Sequence, residues 1–364
     1  MLHDPVIKKL MRLGWGGALA LHGALNLVIP RMRNEICVFY GGARPGDVGG
    51  PLVKVKRLRG LFAEAFWGFN LVYTLSNTPY LPDIALKVLA WRSVPLVHNQ
   101  NGVFYSGWYA GDWQGQNQRM ARTYHQADYV FYQSEFCKRS ADKFLGEREG
   151  PGEILYNAVD TTFYCPAEKT SPSTDHAVRF LLTGKIDDHM YYRVESSIKG
   201  LAAAKDVDAE LLVAGWVAPE ALKQAQNLAD ELEVAERVRF LGRYTQEEAP
   251  GIYQAADAYI MTKHNDPCPN TVLEALASGL PVLYSDTGGV GELVGEAGIG
   301  LACEQGWDAP KVPTDEAMAQ GMKDIVADLP TFAASARQRA EQRFDIRHWE
   351  RRHREIFTQL LERT

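Results

Sequence analysis

The residues most able to do chemistry lie between Lys263 and Gly298, in KHNDPCPNTVLEALASGLPVLYSDTGGVGELVGEAG. An apolar run, DAYIMT, leads into a loop that holds Asp266, and Pro269 and Asn270 then fit the start of a helix. Proline suits that position because its fixed φ is helical and the N–H it lacks would have no intrahelical partner. The free N–H groups of a helix start, together with the helix dipole, favour an anion. Asn270 and Thr271 stand at this start, and Glu274 follows one turn in. A carboxylate there can accept two hydrogen bonds from a ribose diol while a phosphate sits nearer the helix end. The plain alternative is a helix whose acid only complements its dipole.

These residues need a frame that brings strand ends together. Short apolar runs alternate with helical stretches in two halves. The first half has EICVFYGG, FNLVYTL, SVPLVHN, ADYVFYQSE and GEILYNAVD, with a helix expected over Leu81–Arg92. The polar, proline-bearing PAEKTSPSTDH (Pro166–His176) reads as a linker. The second half restarts with AVRFLLTG, AELLVAG, RVRFLG, DAYIMT and LPVLYSD, with a helix expected over Pro219–Val234. Such alternation predicts two mainly parallel sheets covered on both faces. Ligands then bind beyond the carboxyl ends of the strands. Residues directly after strands are therefore the candidates: Gly41, Gly42, His98, Gly184, Lys185 and the loop from Thr262 to Asn270.

The stretch around Glu274 resembles glycosyltransferase family 4, the retaining group 1 glycosyltransferases of GT-B fold. Glu274 matches the second acid of the family's E-x7-E signature, followed by EALASGLPV and SDTGG. Asp266 stands where the first Glu would be. The resemblance implies that Asp266 contacts the donor sugar and Glu274 the ribose. FLLTGKIDDHMYYRVESSIKG resembles the strand–GR…KG element, with Gly184–Lys185 in the first place and Lys199–Gly200 in the second. In the family these cations bind the donor diphosphate. Lys replaces Arg, a point charge without the bidentate fork. The intervening segment is longer than usual, and Arg193 within it is a possible substitute. In the first half, Gly41, Gly42 and Gly49–Gly50 resemble a glycine turn approaching the diphosphate. His98 resembles a histidine facing the transferred sugar. The helix after Asp345 resembles one that crosses back to the first domain.

The expected architecture is thus GT-B: two Rossmann-like parallel-sheet domains, 1–166 and 167–344, facing across a cleft, with a returning helix over 345–364. The resemblance implies retaining, metal-independent transfer from a nucleotide-diphosphate sugar to an acceptor hydroxyl, in polysaccharide, lipopolysaccharide or glycolipid synthesis. No cofactor is expected. Two alternatives stay open: a nucleotide-sugar epimerase or hydrolase of the same fold, and a non-catalytic sugar-nucleotide-binding subunit.

Composition narrows the partners. The chain of 364 residues carries a net charge of −6, which argues against nucleic acid. Residues 1–60 hold ten basic side chains against three acids, a local +7, so the rest carries about −13. Such a basic end can meet an anionic membrane surface or an anionic acceptor. Residues 1–34 read as a helix that either lies on a membrane surface or packs against the protein, because the apolar run LGWGGALALHGALNLVIP is short for a span. Five cysteines without C-x-x-C spacing argue against a disulfide framework or zinc site and for a cytoplasmic setting. Asp206-Val207-Asp208 spells a D-x-D, but at the amino end of a strand, the wrong end for a ligand.

Overall fold

The computed structural model describes residues 5–32, 35–46, 50–76, 80–167 and 177–363, with side chains from Leu13 onward in the first helix. The chain divides into two compact units, Met1–Tyr156 with Glu350–Thr364, and Asn157–Trp349.

The first unit is built on five parallel strands, β1 (Val38–Phe39), β2 (Leu71–Leu75), β3 (Leu96–Gln100), β4 (Tyr129–Tyr132) and β5 (Gly152–Ile154), lying side by side in chain order. Its helices are α1 (Pro5–Leu25), α2 (Gly50–Leu61), α3 (Asp83–Trp91), α4 (Trp113–Gln126) and α5 (Glu135–Leu145). Every residue of β2 and β3 is buried, as expected of strands covered on both faces. Because side chains alternate along a strand, the register pairs Thr74 with His98 and His98 with Val130 on one face.

The second unit holds six parallel strands, β6 (Val178–Thr183), β7 (Ala209–Ala214), β8 (Val238–Gly242), β9 (Ala258–Met261), β10 (Val282–Ser285) and β11 (Gly298–Leu301). They are ordered β11-β10-β9-β6-β7-β8. Its helices are α6 (Tyr192–Ala203), α7 (Pro219–Glu231), α8 (Ala249–Gln254), α9 (Asn270–Ala277), α10 (Val290–Val294), α11 (Asp315–Ala327) and α12 (Leu329–Arg339). The chain proceeds from β6 toward β8 on one side, then returns to place β9 on the other side of β6. That reversal opens a crevice at the carboxyl ends of β6 and β9.

The last helix, α13 (Ile346–Glu362), begins in the second unit and ends in the first. Its apolar side is covered: Trp349, Ile356, Phe357 and Leu360 are buried and Leu361 is half-buried. His353 joins them, fully buried, with its Nε2 3.1 Å from the Tyr73 hydroxyl and its ring tilted against Phe131 at 4.6 Å. Arg352 holds Glu153 with two hydrogen bonds of 2.8 and 2.9 Å.

Three features differ from the sequence reading. The first division falls at Tyr156, ten residues before the expected linker, because residues 157–166 are tied to the second unit. Asn157 donates to the Cys268 carbonyl, Thr161 to the Asp345 carboxylate, and Gln254 to the Cys165 carbonyl. The linker itself, from Glu168 to His176, lies outside the described residues. β11, in the glycine-rich GIGL, went unread because a Cβ on Gly298 would press on Val282, so this strand needs small residues rather than an apolar run. Gly50 begins α2 rather than extending a turn, and Gly49 lies outside the described residues.

Phe357 packs with Phe62 and Tyr73 and is fully buried. Phe357→Ala is expected to destabilise the first unit by about 3–5 kcal/mol. The check is a denaturant titration in which the transition of that unit moves to lower concentration.

Candidate active site

The reversal point is lined from β6 upward. Thr183 ends that strand, and Gly184 follows with φ of +128°, a conformation that favours glycine. Gly215, at the end of β7, is locked against it: a Cβ there would fall 2.1 Å from the Gly184 carbonyl oxygen. The longer segment that follows Gly184 makes a 3-10 turn, Asp188–Met190, and then enters α6 at Tyr192. Arg193 is the second residue of α6 and is 4% exposed. Its Nη2 donates to the Thr183 carbonyl at 3.1 Å, and its Nε is buried without a hydrogen-bond partner. Among the described residues no carboxylate pairs with it. A buried guanidinium in that position is costly unless an anion reaches it.

Glu274 arrives from α9. Asn270 begins that helix and Pro269 precedes it in an extended conformation rather than as its first helical residue; the Asn270 Oδ1 is buried without a hydrogen-bond partner. The Tyr253 hydroxyl donates to Glu274 Oε2 at 2.8 Å. Burial, then the charge of Glu274, pushes the Tyr253 phenol well above its ordinary range, so it stays a donor. The same hydroxyl lies 3.4 Å from Thr183 Oγ1, which is bonded to Tyr259 at 2.8 Å. Glu274 and Arg193 are therefore joined through Tyr253 and Thr183 at one strand end.

Asp266 closes the same rim. Lys263 pairs with its Oδ2 at 2.8 Å and the Cys268 N–H donates to its Oδ1 at 3.2 Å. The loop around it is held tightly. The Gly289 N–H donates to the Asp266 carbonyl, the His264 N–H to the Tyr192 hydroxyl, and both His264 and Asn265 reach the Gly306 carbonyl. A Cβ on Gly288 would stand 2.6 Å from the Asp266 carbonyl oxygen, which explains the first glycine of SDTGG. Sequence reasoning missed Tyr253, Tyr192 and the role of Asn157. Tyr253 sits in an ordinary helical stretch, and only its burial beside Glu274 marks it.

The cations separate. Lys185 is exposed, pairs with Asp187 at 3.0 Å, and lies 5.0 Å above the Trp216 ring, which Arg243 also covers. Lys199 is not brought to this place. It is the eighth residue of α6, about 9 Å along the helix from Arg193 at 1.5 Å per residue, and pairs with Glu195 at 2.8 Å. Asp315 at the start of α11 is the other charge near it. The insertion after Gly184 delays the helix, so its first turn carries Arg193 and the KG pair falls further along.

The first-unit candidates have other surroundings. β3 runs two residues beyond His98, so this side chain is mid-strand and not at a strand end. It is 1% exposed, with Nδ1 2.9 Å from Thr74 Oγ1, Nε2 3.0 Å from Gln100 Oε1, and its ring edge-on to Tyr124 of α4. Gly41 and Gly42 do form a positive-φ turn after β1. That turn serves packing, since a Cβ on Gly42 would come within 2.7 Å of the Trp15 indole of α1. A small hollow in this unit, lined by Leu19, Gly23, Phe39, Ala85 and neighbours, contains none of the sequence-predicted site residues. Asp206 of the D-x-D is 84% exposed and bound to Lys323. Among the described residues no three His, Cys, Asp or Glu side chains are grouped to hold a metal ion.

Burial lowers the His98 pKa from 6.5 to about 4. The folded state thus resists a proton that the unfolded chain accepts. Its stabilising contribution is complete above pH 6.5 and is lost as pH falls toward 4, at up to about 1.4 kcal/mol per pH unit. His98→Gln is expected to flatten that part of the stability–pH curve in paired denaturant titrations.

Residues 190–342 match the family Glycosyl transferases group 1. The glycogen synthase of Mycobacterium tuberculosis is 26% identical over 310 residues, covering 79% of this chain and 68% of that protein. D-inositol 3-phosphate glycosyltransferase of Mycobacterium sp. (strain KMS) is 37% identical over 92 residues, 24% of this chain and 21% of its own. Among solved structures, sucrose-phosphate synthase from Thermosynechococcus elongatus superposes with a TM-score of 0.65 at 18% identity, over 86% of this chain and 78% of that one. Anabaena Alr3699/HepE in complex with UDP gives 0.63 at 20%, over 85% and 82%. With two parallel-sheet α/β units, these neighbours establish the GT-B fold.

Proposed function

We propose that this chain is a glycosyltransferase that moves a sugar from a nucleotide-diphosphate donor to an acceptor hydroxyl, with the donor bound at the reversal point of the second unit. The family match and the relatives support the class. The observation that carries the site is Arg193: a buried guanidinium without a carboxylate partner among the described residues, beside a positive-φ glycine at the carboxyl end of β6. A diphosphate at the carboxyl end of β6 supplies the missing counter-charge. Glu274, held by Tyr253, takes the ribose diol, and Asp266 the sugar.

As negative charge grows on the departing diphosphate, Arg193, the start of α9 and the exposed Lys185 stabilise it. Preorganised charge of this kind is commonly a large catalytic contribution. Cationic side chains do this work in the proposal, so transfer should persist in excess chelator. Retention of the anomeric configuration rests on the family resemblance: the acceptor hydroxyl attacks from the face the leaving group departs, and a phosphate oxygen takes its proton. Lys199 has no part in this scheme, and neither does His98, whose ring nitrogens are both engaged in the buried sheet.

UDP is the first nucleotide to test, because it is the one bound in the Alr3699/HepE structure. By calorimetric titration against UDP, GDP and ADP, Glu274→Ala should cost about 1.5–3 kcal/mol of affinity for the preferred nucleotide. Unchanged affinity would refute the ribose assignment. Arg193→Ala should lower transfer at least about 100-fold, with circular dichroism confirming the fold, whereas Lys199→Ala should stay within about twofold. The reverse ranking would return the phosphate role to Lys199.

A further inference from the structure

We infer that the outer face of α1 and α3 docks on an anionic lipid bilayer surface, lying on it rather than crossing it. Leu13 to Pro30 contains no Asp, Glu, Lys or Arg. One side of α1 faces the protein: Leu19 and Asn26 are buried, and Gly23 approaches Ala85 of α3, where a Cβ would meet it at 3.3 Å. The other side is equally apolar and faces outward. Leu21, Leu25 and Val28, spaced four and three residues apart, are exposed, Val28 at 81%. Arg92 holds the end of α1 against α3 by donating to the Asn26 and Ile29 carbonyls. The exposed Ile84 and Trp91 of α3 therefore belong to the same surface, Trp91 at 76%.

Scattered exposed leucines are ordinary, but a contiguous apolar patch on two adjoining helices marks a contact. Charge chooses the occupant. Lys8, Lys9 and Arg12 stand on the first turns of α1, which carry no acid in the opening turn. Lys87 lies on the exposed side of α3 between Ile84 and Trp91. An apolar face within a stretch of local net charge +7, on an otherwise acidic chain, suits anionic headgroups over apolar acyl chains. A second copy of the chain would bring like charges together along the same face. Exposed Trp15 and Trp67 add indoles of the kind that settle at headgroup depth. No helix among the described residues is long and apolar enough to cross a membrane, so the contact is lateral.

The test is co-sedimentation of the full chain with vesicles of phosphatidylcholine, with and without phosphatidylglycerol. The unsubstituted protein should partition at least about tenfold more strongly onto the anionic vesicles. Leu21→Glu/Leu25→Glu and Trp91→Glu should each lose at least about tenfold, with melting temperature unchanged because these side chains are exposed. Equal binding by the variants, or no binding by the unsubstituted chain, would overturn the inference. So would light scattering that shows a dimer abolished by Leu21→Glu/Leu25→Glu without any vesicle binding, because the face would then be a self-contact. None of these residues is in the donor site, so nucleotide affinity separates failure here from failure of the transferase reading.

Discussion

A buried charge with no carboxylate partner among the described residues marks the centre of the second unit's crevice. The Arg193 guanidinium is taken out of water at the point where strand order reverses, tied to the protein by one hydrogen bond to the Thr183 carbonyl and one weak contact to the Met261 sulfur. Burying a cation this way costs several kcal/mol unless a partner anion is present. Folding tolerates the arrangement because the surroundings are rigid. Gly184 and Gly215 press backbone against backbone, and Tyr253, Tyr259 and Thr183 form a closed polar cluster beside it. These glycine contacts and hydrogen bonds hold the surroundings of Arg193 in place, the kind of fixed frame that preorganised electrostatics requires.

The second constraint is the loop from Thr262 to Pro269. Asn265 takes a positive φ, and the loop is pinned from several sides by Thr287, Gly306, Gly289 and Asn157. It therefore presents Asp266 and the start of α9 as one piece. The aspartate is one methylene shorter than the glutamate that the family resemblance would place there. Its ion pair with Lys263 fixes where that shorter carboxylate points.

Much of this was legible in the sequence, because the two kinds of signal involved are local. Strand–helix alternation needs only apolar runs and turns, and the α9 start is written in Pro269–Asn270. Distance along a helix is harder to read. The KG pair at Lys199–Gly200 matched a motif by letters, but the insertion after Gly184 moved it to the second half of α6. Arg193 took the place near the strand end. His98 misled for a related reason: strand ends cannot be located to within two residues by composition. Polar Asn99 and Gln100 continue β3 past His98, buried and hydrogen-bonded. Tyr253 carried no sequence signal, since its function as a hydrogen-bond donor to Glu274 depends on two helices meeting.

The central claim is that a donor diphosphate neutralises Arg193 while Glu274 grips the ribose. A crystal structure with bound UDP or the nucleotide preferred in titration tests it most directly. The account predicts guanidinium nitrogens of Arg193 about 3 Å from diphosphate oxygens and the Glu274 carboxylate on the ribose hydroxyls. A diphosphate held by Lys199, with Arg193 still buried and out of contact, would contradict it.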